Sequence, residues 1–194
     1  MSMPTTPDVS ASLLGVARRG DTTTPELPLT VDWSSDETPT ATEREMLDAL
    51  HARYTDGAGN GPRYVCAEHV RNKAGFDATR TADFVAMDLW PSSGLLLHGH
   101  EVKVSRSDWL RELADPNKAE AFMQYMDRWW LVVPHPRIVK DDLPAGWGLM
   151  ARRGGRLAVV ISAPTLTPKP MPRSLLAPLL RSAVATSQRR CGGA

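Results

Sequence analysis

Cysteine and long apolar runs are both scarce in this chain, and each scarcity excludes a class of protein. The 194 residues include two cysteines, Cys66 and Cys191, too few for the disulfide framework that stabilises small secreted domains. No apolar run approaches the roughly 20 residues that a membrane-spanning helix needs. The first four residues lack the basic and then apolar layout of a signal peptide. We therefore expect a cytoplasmic protein with no membrane partner.

Several familiar catalytic signatures are missing as well. The sequence contains no Gly-x-Ser-x-Gly elbow, no His-Glu-x-x-His helix and no dinucleotide-binding fingerprint. The glycine-rich stretch at residues 56–62 is not followed by the Gly-Lys-Ser/Thr of a phosphate-binding loop, so we interpret it as a flexible connector.

Net charge is small, but its distribution divides the chain into three parts. Residues 1–40 hold two arginines and six acids, and we expect a disordered or loosely docked arm there. Residues 41–163 balance in charge and form the predicted domain. Residues 164–194 are proline-rich at first and hold five basic residues and no acid. This basic tail is a candidate for phosphate contact, with a solvated tail as the alternative, and residues 173–186 could form a helix that docks or binds a partner.

A β-hairpin is predicted in the middle of the chain. Residues 83–90 and 95–104 are rich in alternating and β-branched side chains, and a Pro-Ser-Ser-Gly turn joins them. Opposed residues of an antiparallel pair share a face and lie about 5 Å apart. Two registers suit this turn, and they place Asp83 opposite either Glu101 or Lys103.

Three charged side chains converge at the open end of this hairpin. Glu101 and Lys103 are two residues apart and so share a face, which Asp83 joins in either register. Asp88 lies five residues from Asp83 and therefore points to the opposite face. Carboxylate oxygens are the ligands that Mg²⁺ prefers, and an ammonium beside them can position an attacking water. We expect Asp83 and Glu101 to bind Mg²⁺, or alternatively Mn²⁺, next to Lys103.

The segments around the hairpin predict an αβββαβ order. A Thr42-x-x-Glu45 capping box starts the first helix, and Glu43 shares the face of its apolar stripe, which comprises Met46, Leu47, Leu50 and Tyr54. The later pattern indicates, in order, a strand at 63–70, the hairpin, a helix capped by Ser105 or Ser107, a second helix from Pro116 to Asp127, a buried strand at 128–133 and a terminal hairpin that ends near residue 162. Trp109, Leu110 and Leu113 are predicted to form the apolar face of the helix after the hairpin.

The motif R-x-A-D, followed by E-V-K-V-S-R-S-D-W-L and D-R-W-W-L-V-V-P, resembles the PD-(D/E)XK nuclease superfamily, most closely its MmcB-like DNA-repair branch. The resemblance covers about residues 41–163. It implies an α/β, restriction-endonuclease-like fold with a mixed central sheet flanked by helices. It also implies DNA as the partner and Mg²⁺-dependent hydrolysis of phosphodiester bonds in DNA repair or recombination.

The same resemblance implies further site residues. In the superfamily, a glutamate on the first core helix often helps to bind metal, which points to Glu43, although an acid at that position also simply favours a helix N-terminus. The carbonyl of Val102 is implied as a backbone metal ligand. The candidates for accessory or DNA-binding roles are Ser105, Arg106, Arg111, Lys118, Gln124 and Tyr125.

Three alternatives stay open. The chain could be a catalytically weak or inactive DNA-binding module on the same fold, or a structural domain in which the three charged residues form an ion-pair cluster. His98 and His100 could bind Zn²⁺ with Cys66 or His69, although hydrogen bonds within the sheet explain such histidines more simply. The oligomeric state is open, with a homodimer as one alternative.

Overall fold

The computed structural model describes residue 33 and residues 40–55, 62–73 and 80–192. The rest of the predicted N-terminal arm and most of the glycine-rich connector lie outside the described residues. The elements are, in order, α1 (Glu43–Thr55), β1 (Tyr64–Arg71), β2 (Thr81–Asp88), β3 (Leu97–Val102), α2 (Arg106–Leu113), α3 (Asn117–Met123), β4 (Arg128–Val133), β5 (Trp147–Arg153), β6 (Arg156–Ile161) and α4 (Arg173–Cys191). Within these ranges, no helix has the length and apolar character needed to span a bilayer.

The strands form one mixed sheet in the order β1 to β6. The pairs β1–β2, β2–β3 and β5–β6 are antiparallel, and the pairs β3–β4 and β4–β5 are parallel. The parallel step from β3 to β4 runs through α2 and α3, as a parallel connection requires a crossover. The predicted α/β fold and its αβββαβ order are therefore confirmed.

The predicted hairpin is present, and its register is one of the two expected. Phe84 pairs with His100 and Met87 with Leu97, so Asp83 falls opposite Glu101 when the register continues. The turn is a short 3₁₀ segment that ends at Gly94, whose φ of 86° is accessible because glycine has no Cβ.

The sheet carries an apolar core on each face. One core includes Trp109 of α2 and Phe122 of α3, and the other includes Leu47 and Leu50 of α1. Strand β4 contributes to both, with Trp129, Leu131 and Val133 on one side and Trp130 and Val132 on the other. This double burial explains its continuous apolar sequence.

Helix α1 begins as the capping box predicted. The backbone N–H of Thr42 donates to Glu45 Oε2 at 2.7 Å, and the N–H of Glu45 donates to Thr42 Oγ1 at 3.2 Å. The predicted apolar stripe, which includes Met46 and Tyr54, is buried against the sheet. The position of Glu43 in the first turn is therefore fixed by the sequence around it.

The predicted basic tail contains α4, which packs against β1. Leu175 and Thr186 of α4 are buried. Arg189 and Arg190 form ion pairs with the buried carboxylate of Glu68 on β1. Of the two alternatives for this helix, docking is the one observed, and three of the five basic residues of the tail, Lys169, Arg189 and Arg190, contact protein.

Two predicted helix details were wrong. Leu110 of α2 is 49% exposed, and Glu112 is buried on that helix instead. The second helix ends at Met123 rather than at Asp127. Hydrophobicity suggested that Leu110 faces the core, whereas Glu112 lies three residues after Trp109 and so shares its buried side.

Candidate active site

A charged cleft of about 400 Å³ opens where β2 and β3 meet the start of α1 and the helices α2 and α3. Its walls combine the ends of two strands with three helices, so residues distant in sequence meet there. The cleft is lined by Glu43, Asp83, Val102, Lys103, Val104, Asp108, Arg111, Glu112 and Lys118.

Asp83 is held in the cleft by the hairpin. Its Oδ2 accepts a hydrogen bond from the backbone N–H of Val102 at 2.8 Å. Burial raises the pKa of Asp83, and the nearby ammonium of Lys103 and the Val102 N–H oppose that rise. The carboxylate of Glu43 adds a like charge that also raises the pKa.

Glu101 and Lys103 lie next to each other on β3. Glu101 is 2% exposed and accepts a hydrogen bond at Oε1 from Lys103 Nζ at 2.5 Å. Burial, together with the carboxylate of Asp83, raises the pKa of Glu101 to about 8. Burial alone would lower the pKa of Lys103, but the carboxylates of Glu101 and Asp83 outweigh it and hold that pKa above its ordinary value. Lys103 is therefore a fixed cation.

Two helix residues join this pair to form a closed arrangement of four charges. Lys103 Nζ lies 3.0 Å from Glu112 Oε2, and Lys118 Nζ lies 3.2 Å from Glu101 Oε1 and also binds Glu112 Oε2. We call Glu101, Lys103, Glu112 and Lys118 the lysine–carboxylate box. Its formal charges balance, so each carboxylate already has cationic partners.

A second group of side chains gathers around Asp83. Glu43, His69 and Asp83 each offer one ligand atom, and these three atoms lie within 4.8 Å of one another. Two carboxylate oxygens and one imidazole nitrogen suit a divalent cation. The donor chemistry around Asp83 therefore fits a divalent metal ion, and Glu43 and Asp83 are the sequence-predicted residues that supply oxygen donors here.

Two of the six predicted accessory residues line the cleft. Lys118 belongs to the lysine–carboxylate box. Arg111 extends from α2, pairs with Asp108 and keeps 78% of its side chain exposed. Both therefore present positive charge where a phosphate would approach.

The other four accessory candidates, Ser105, Arg106, Gln124 and Tyr125, do not line the cleft. Ser105 caps α2 by accepting a hydrogen bond from the Asp108 N–H. Arg106 pairs with Asp142. Gln124 accepts from Lys169, and Tyr125 packs beside the core. Their observed contacts stabilise the domain.

The remaining sequence candidates have structural partners. Asp88 pairs with Arg63 and lies outside the cleft, on the other end of β2 from Asp83. His100 Nε2 lies 2.8 Å from the hydroxyl of Tyr54. His98 Nδ1 accepts from the indole N–H of Trp130 at 3.3 Å. These contacts agree with the simpler interpretation of the two histidines.

Sequence reasoning did not place Asp108 and Glu112 in the cleft, and it considered His69 beside the cleft only as a zinc ligand. Glu112 had a usable signal, since it lies one helical turn from the buried Trp109. His69 had none, because its φ of 51° interrupts the strand alternation on which the prediction depended. Asp108 lies in the first turn of α2, where an acid favours the helix itself and so gives no separate signal of a site.

Comparisons with known proteins add a fold likeness to this geometry. A scan against models of protein families finds no match, and a search of curated proteins finds none. Among solved structures, the chain is similar to the SPO1766 protein of unknown function from Silicibacter pomeroyi, with a TM-score of 0.53 and 20% identity over 79% of this chain and 91% of that one. A likeness at this identity shows the fold alone.

Proposed function

We propose that this chain is a metal-dependent nuclease of the PD-(D/E)XK type, which hydrolyses DNA phosphodiester bonds in repair or recombination. One observation carries the proposal: Glu43, Asp83 and Lys103 line a single cleft, and Glu101 lies buried beside them. The αβββαβ order supports it, because that order is the one the sequence resemblance implies.

The charge of the cleft argues for a bound divalent ion. Three cations line it, against four carboxylates on its walls. A phosphodiester would therefore meet net negative charge, which a divalent cation offsets. Mg²⁺ or Mn²⁺, held by Asp83 and Glu43 and by the predicted ligands Glu101 and Val102, would supply Lewis acidity and acidify a coordinated water.

Lys103 would act as a fixed cation at the reacting phosphate. Its raised pKa keeps the ammonium charged at neutral pH, so it donates hydrogen bonds rather than accepting a proton. The two carboxylates of the box hold its Nζ at the cleft wall. Preorganised charge of this kind lowers the barrier because it requires no rearrangement during the reaction.

The test is cleavage of several DNA structures by the purified chain with Mg²⁺ or Mn²⁺. The Lys103→Met variant should lose at least about 100-fold in rate, as expected when a preorganised charge contact to the transition state is removed. Lys169→Met is the matched control, because Lys169 contacts Gln124 away from the cleft and its loss should leave cleavage unchanged. Cleavage that survives Lys103→Met would contradict the proposal.

The box also favours a second candidate, a DNA-binding module with little or no nuclease activity. Lys103 and Lys118 both contact Glu101, so neither that carboxylate nor the two ammonium groups are free of protein partners. In that case a labelled DNA would bind in the presence of divalent metal and remain intact. Product formation that depends on Lys103 would exclude this candidate.

A further inference from the structure

The distance between His69 and Glu43 suits a shared ion better than a direct hydrogen bond. His69 Nδ1 lies 3.8 Å from Glu43 Oε1, which is longer than a hydrogen bond. An atom of the Asp83 carboxylate lies within 4.8 Å of both. Two ligand atoms that are each about 2.1 Å from one ion are roughly 3 to 4 Å apart. A gap of 3.8 Å is therefore in the range of two ligands that share an ion.

The backbone of β1 places His69 in this position. Pairing of Glu68 with Phe84 and of Val70 with Ala82 leaves His69 across from Asp83. Its φ of 51° interrupts the alternation of β1, and as a result Ala67 and Val70, three residues apart, both enter the same core. His69 is about half exposed and lies beside Glu43 and Asp83, two acids that line the cleft.

Charge distinguishes this group from the neighbouring box. Glu101 and Glu112 each contact two lysines. Within residues 40–55, 62–73 and 80–192, by contrast, no lysine or arginine forms an ion pair with Glu43 or Asp83, and His69 is the basic side chain that lies beside both acids. The carboxylates of the box therefore have lysine ion-pair partners, whereas Glu43 and Asp83 have none within those residues. A divalent ion would therefore gain more electrostatic stabilisation beside Glu43, His69 and Asp83 than beside the box.

We infer that Glu43, His69 and Asp83 form a mixed nitrogen–oxygen site for a first-row transition-metal ion, with Mn²⁺ bound in preference to Mg²⁺. The inference rests on the proposed function, since it names the ion and a ligand of the same cleft. Mg²⁺ takes oxygen ligands almost entirely, whereas imidazole is a common ligand of transition metals. His69 is thus the residue that sets the ion preference, and the box holds Lys103 in place beside the site.

The test measures metal binding without DNA. Chelator-treated full chain is titrated with Mn²⁺ and followed by electron paramagnetic resonance, with spin-echo detection of coupling to ¹⁴N. The wild-type chain should show ¹⁴N coupling. His69→Gln should abolish that coupling and weaken Mn²⁺ binding at least about 10-fold, the lower limit for losing even an outer partner of a metal ligand. Mg²⁺ affinity, read by competition, should change much less.

A matched control and a separate activity assay make the outcomes distinct. Glu43→Gln should weaken Mn²⁺ binding, while Glu120→Gln, an exposed acid on α3, should not. Mn²⁺ binding with ¹⁴N coupling but without DNA cleavage would keep the site and overturn the nuclease proposal. Metal-dependent cleavage with no ¹⁴N coupling, or with equal coupling in His69→Gln, would keep the nuclease and overturn the site.

Discussion

Glu101 sits among two lysines and a second glutamate, yet its environment disfavours its charged form. The side chain is almost fully buried, and Asp83 and Glu112 add like charges, so its pKa rises from 4.5 to about 8. The folded chain therefore binds a proton that the unfolded chain releases across that interval. In the absence of metal, unfolding free energy should fall as pH rises from about 4.5 to about 8, by at most about 1.4 kcal/mol per pH unit from this group.

Glu101→Gln tests this coupling at the level of one residue. The variant lacks the titration, so its stability relative to wild type should increase steadily across the same pH window. Urea unfolding between pH 5 and pH 8 in chelator measures the difference. Glu120→Gln, which removes an exposed acid on α3, should show no trend. A flat difference for Glu101→Gln would mean that the carboxylate is ionised throughout.

The candidate site could be predicted from sequence only where strand geometry determines direction. Alternation and a tight turn placed Asp83 opposite either Glu101 or Lys103 and on the face that both share, because opposed and alternate strand residues have fixed relations; the structure has the first register. Glu112 escaped prediction because hydrophobicity favoured Leu110 for the buried face, although Glu112 lies one helical turn after Trp109 and shares its buried side. His69 escaped because a single left-handed residue reverses the alternation.

At the scale of elements, Glu68 joins β1 to two helices. Its carboxylate is 2% exposed and accepts hydrogen bonds from Arg44 of α1 at 2.7 Å and from Arg190 of α4 at 2.9 Å. His51 of α1 lies 2.8 Å from the same oxygen. The hydrogen bond from Arg44, together with that from Arg190, outweighs the effect of burial and lowers the pKa of Glu68. The group therefore stays ionised at neutral pH.

We expect Glu68→Gln to lower the free energy of unfolding by about 2 to 4 kcal/mol, because charge-assisted bonds at a buried position are lost. Asp48→Asn is the control, since Asp48 contacts the same two arginines but is half exposed, and such pairs contribute about 0 to 1 kcal/mol. Urea unfolding at pH 7 gives both values. Similar losses in the two variants would show that burial is not the deciding factor.

Elements with a strong local sequence pattern were predicted well, whereas helix ends and the orientation of individual helix residues were predicted less well. The apolar run of β4 and the capping box of α1 fixed type and position, because a strand buried on both faces and a capped helix start each have a local signature. The end of α3 and the exposed Leu110 were missed. Both depend on how the helix meets the rest of the fold, which hydrophobicity along the chain does not report.

For the molecule as a whole, the proposed function predicts that DNA binding depends on bound metal, for an electrostatic reason. Without an ion, the residues that line the cleft carry net negative charge. In the basic tail, Arg189 and Arg190 already form ion pairs with Glu68. In chelator, DNA should therefore bind at the weak end of non-specific affinity, with a Kd of about 10⁻⁴ M at physiological salt. Mn²⁺ should tighten binding at least about 10-fold, an effect that fluorescence anisotropy at low temperature can measure.

A metal-independent Kd near 10⁻⁶ M with a steep salt dependence would contradict this expectation. It would place DNA on a basic surface outside the cleft. The same titration on Asp83→Asn provides the internal control, because loss of this carboxylate should remove most of the gain from Mn²⁺. In chelator the variant should bind DNA no more weakly than wild type does.

Helix α4 has one more consequence, which concerns the border of the sheet. Among the described strands, β1 has a neighbour on one side only, and the amide of Glu68 donates to the hydroxyl of Thr186 on α4 at 3.0 Å. Unpaired backbone N–H and C=O groups along an edge strand can pair with strands of other chains. By covering this border, the helix closes a route to intermolecular strand addition and so protects the chain from aggregation.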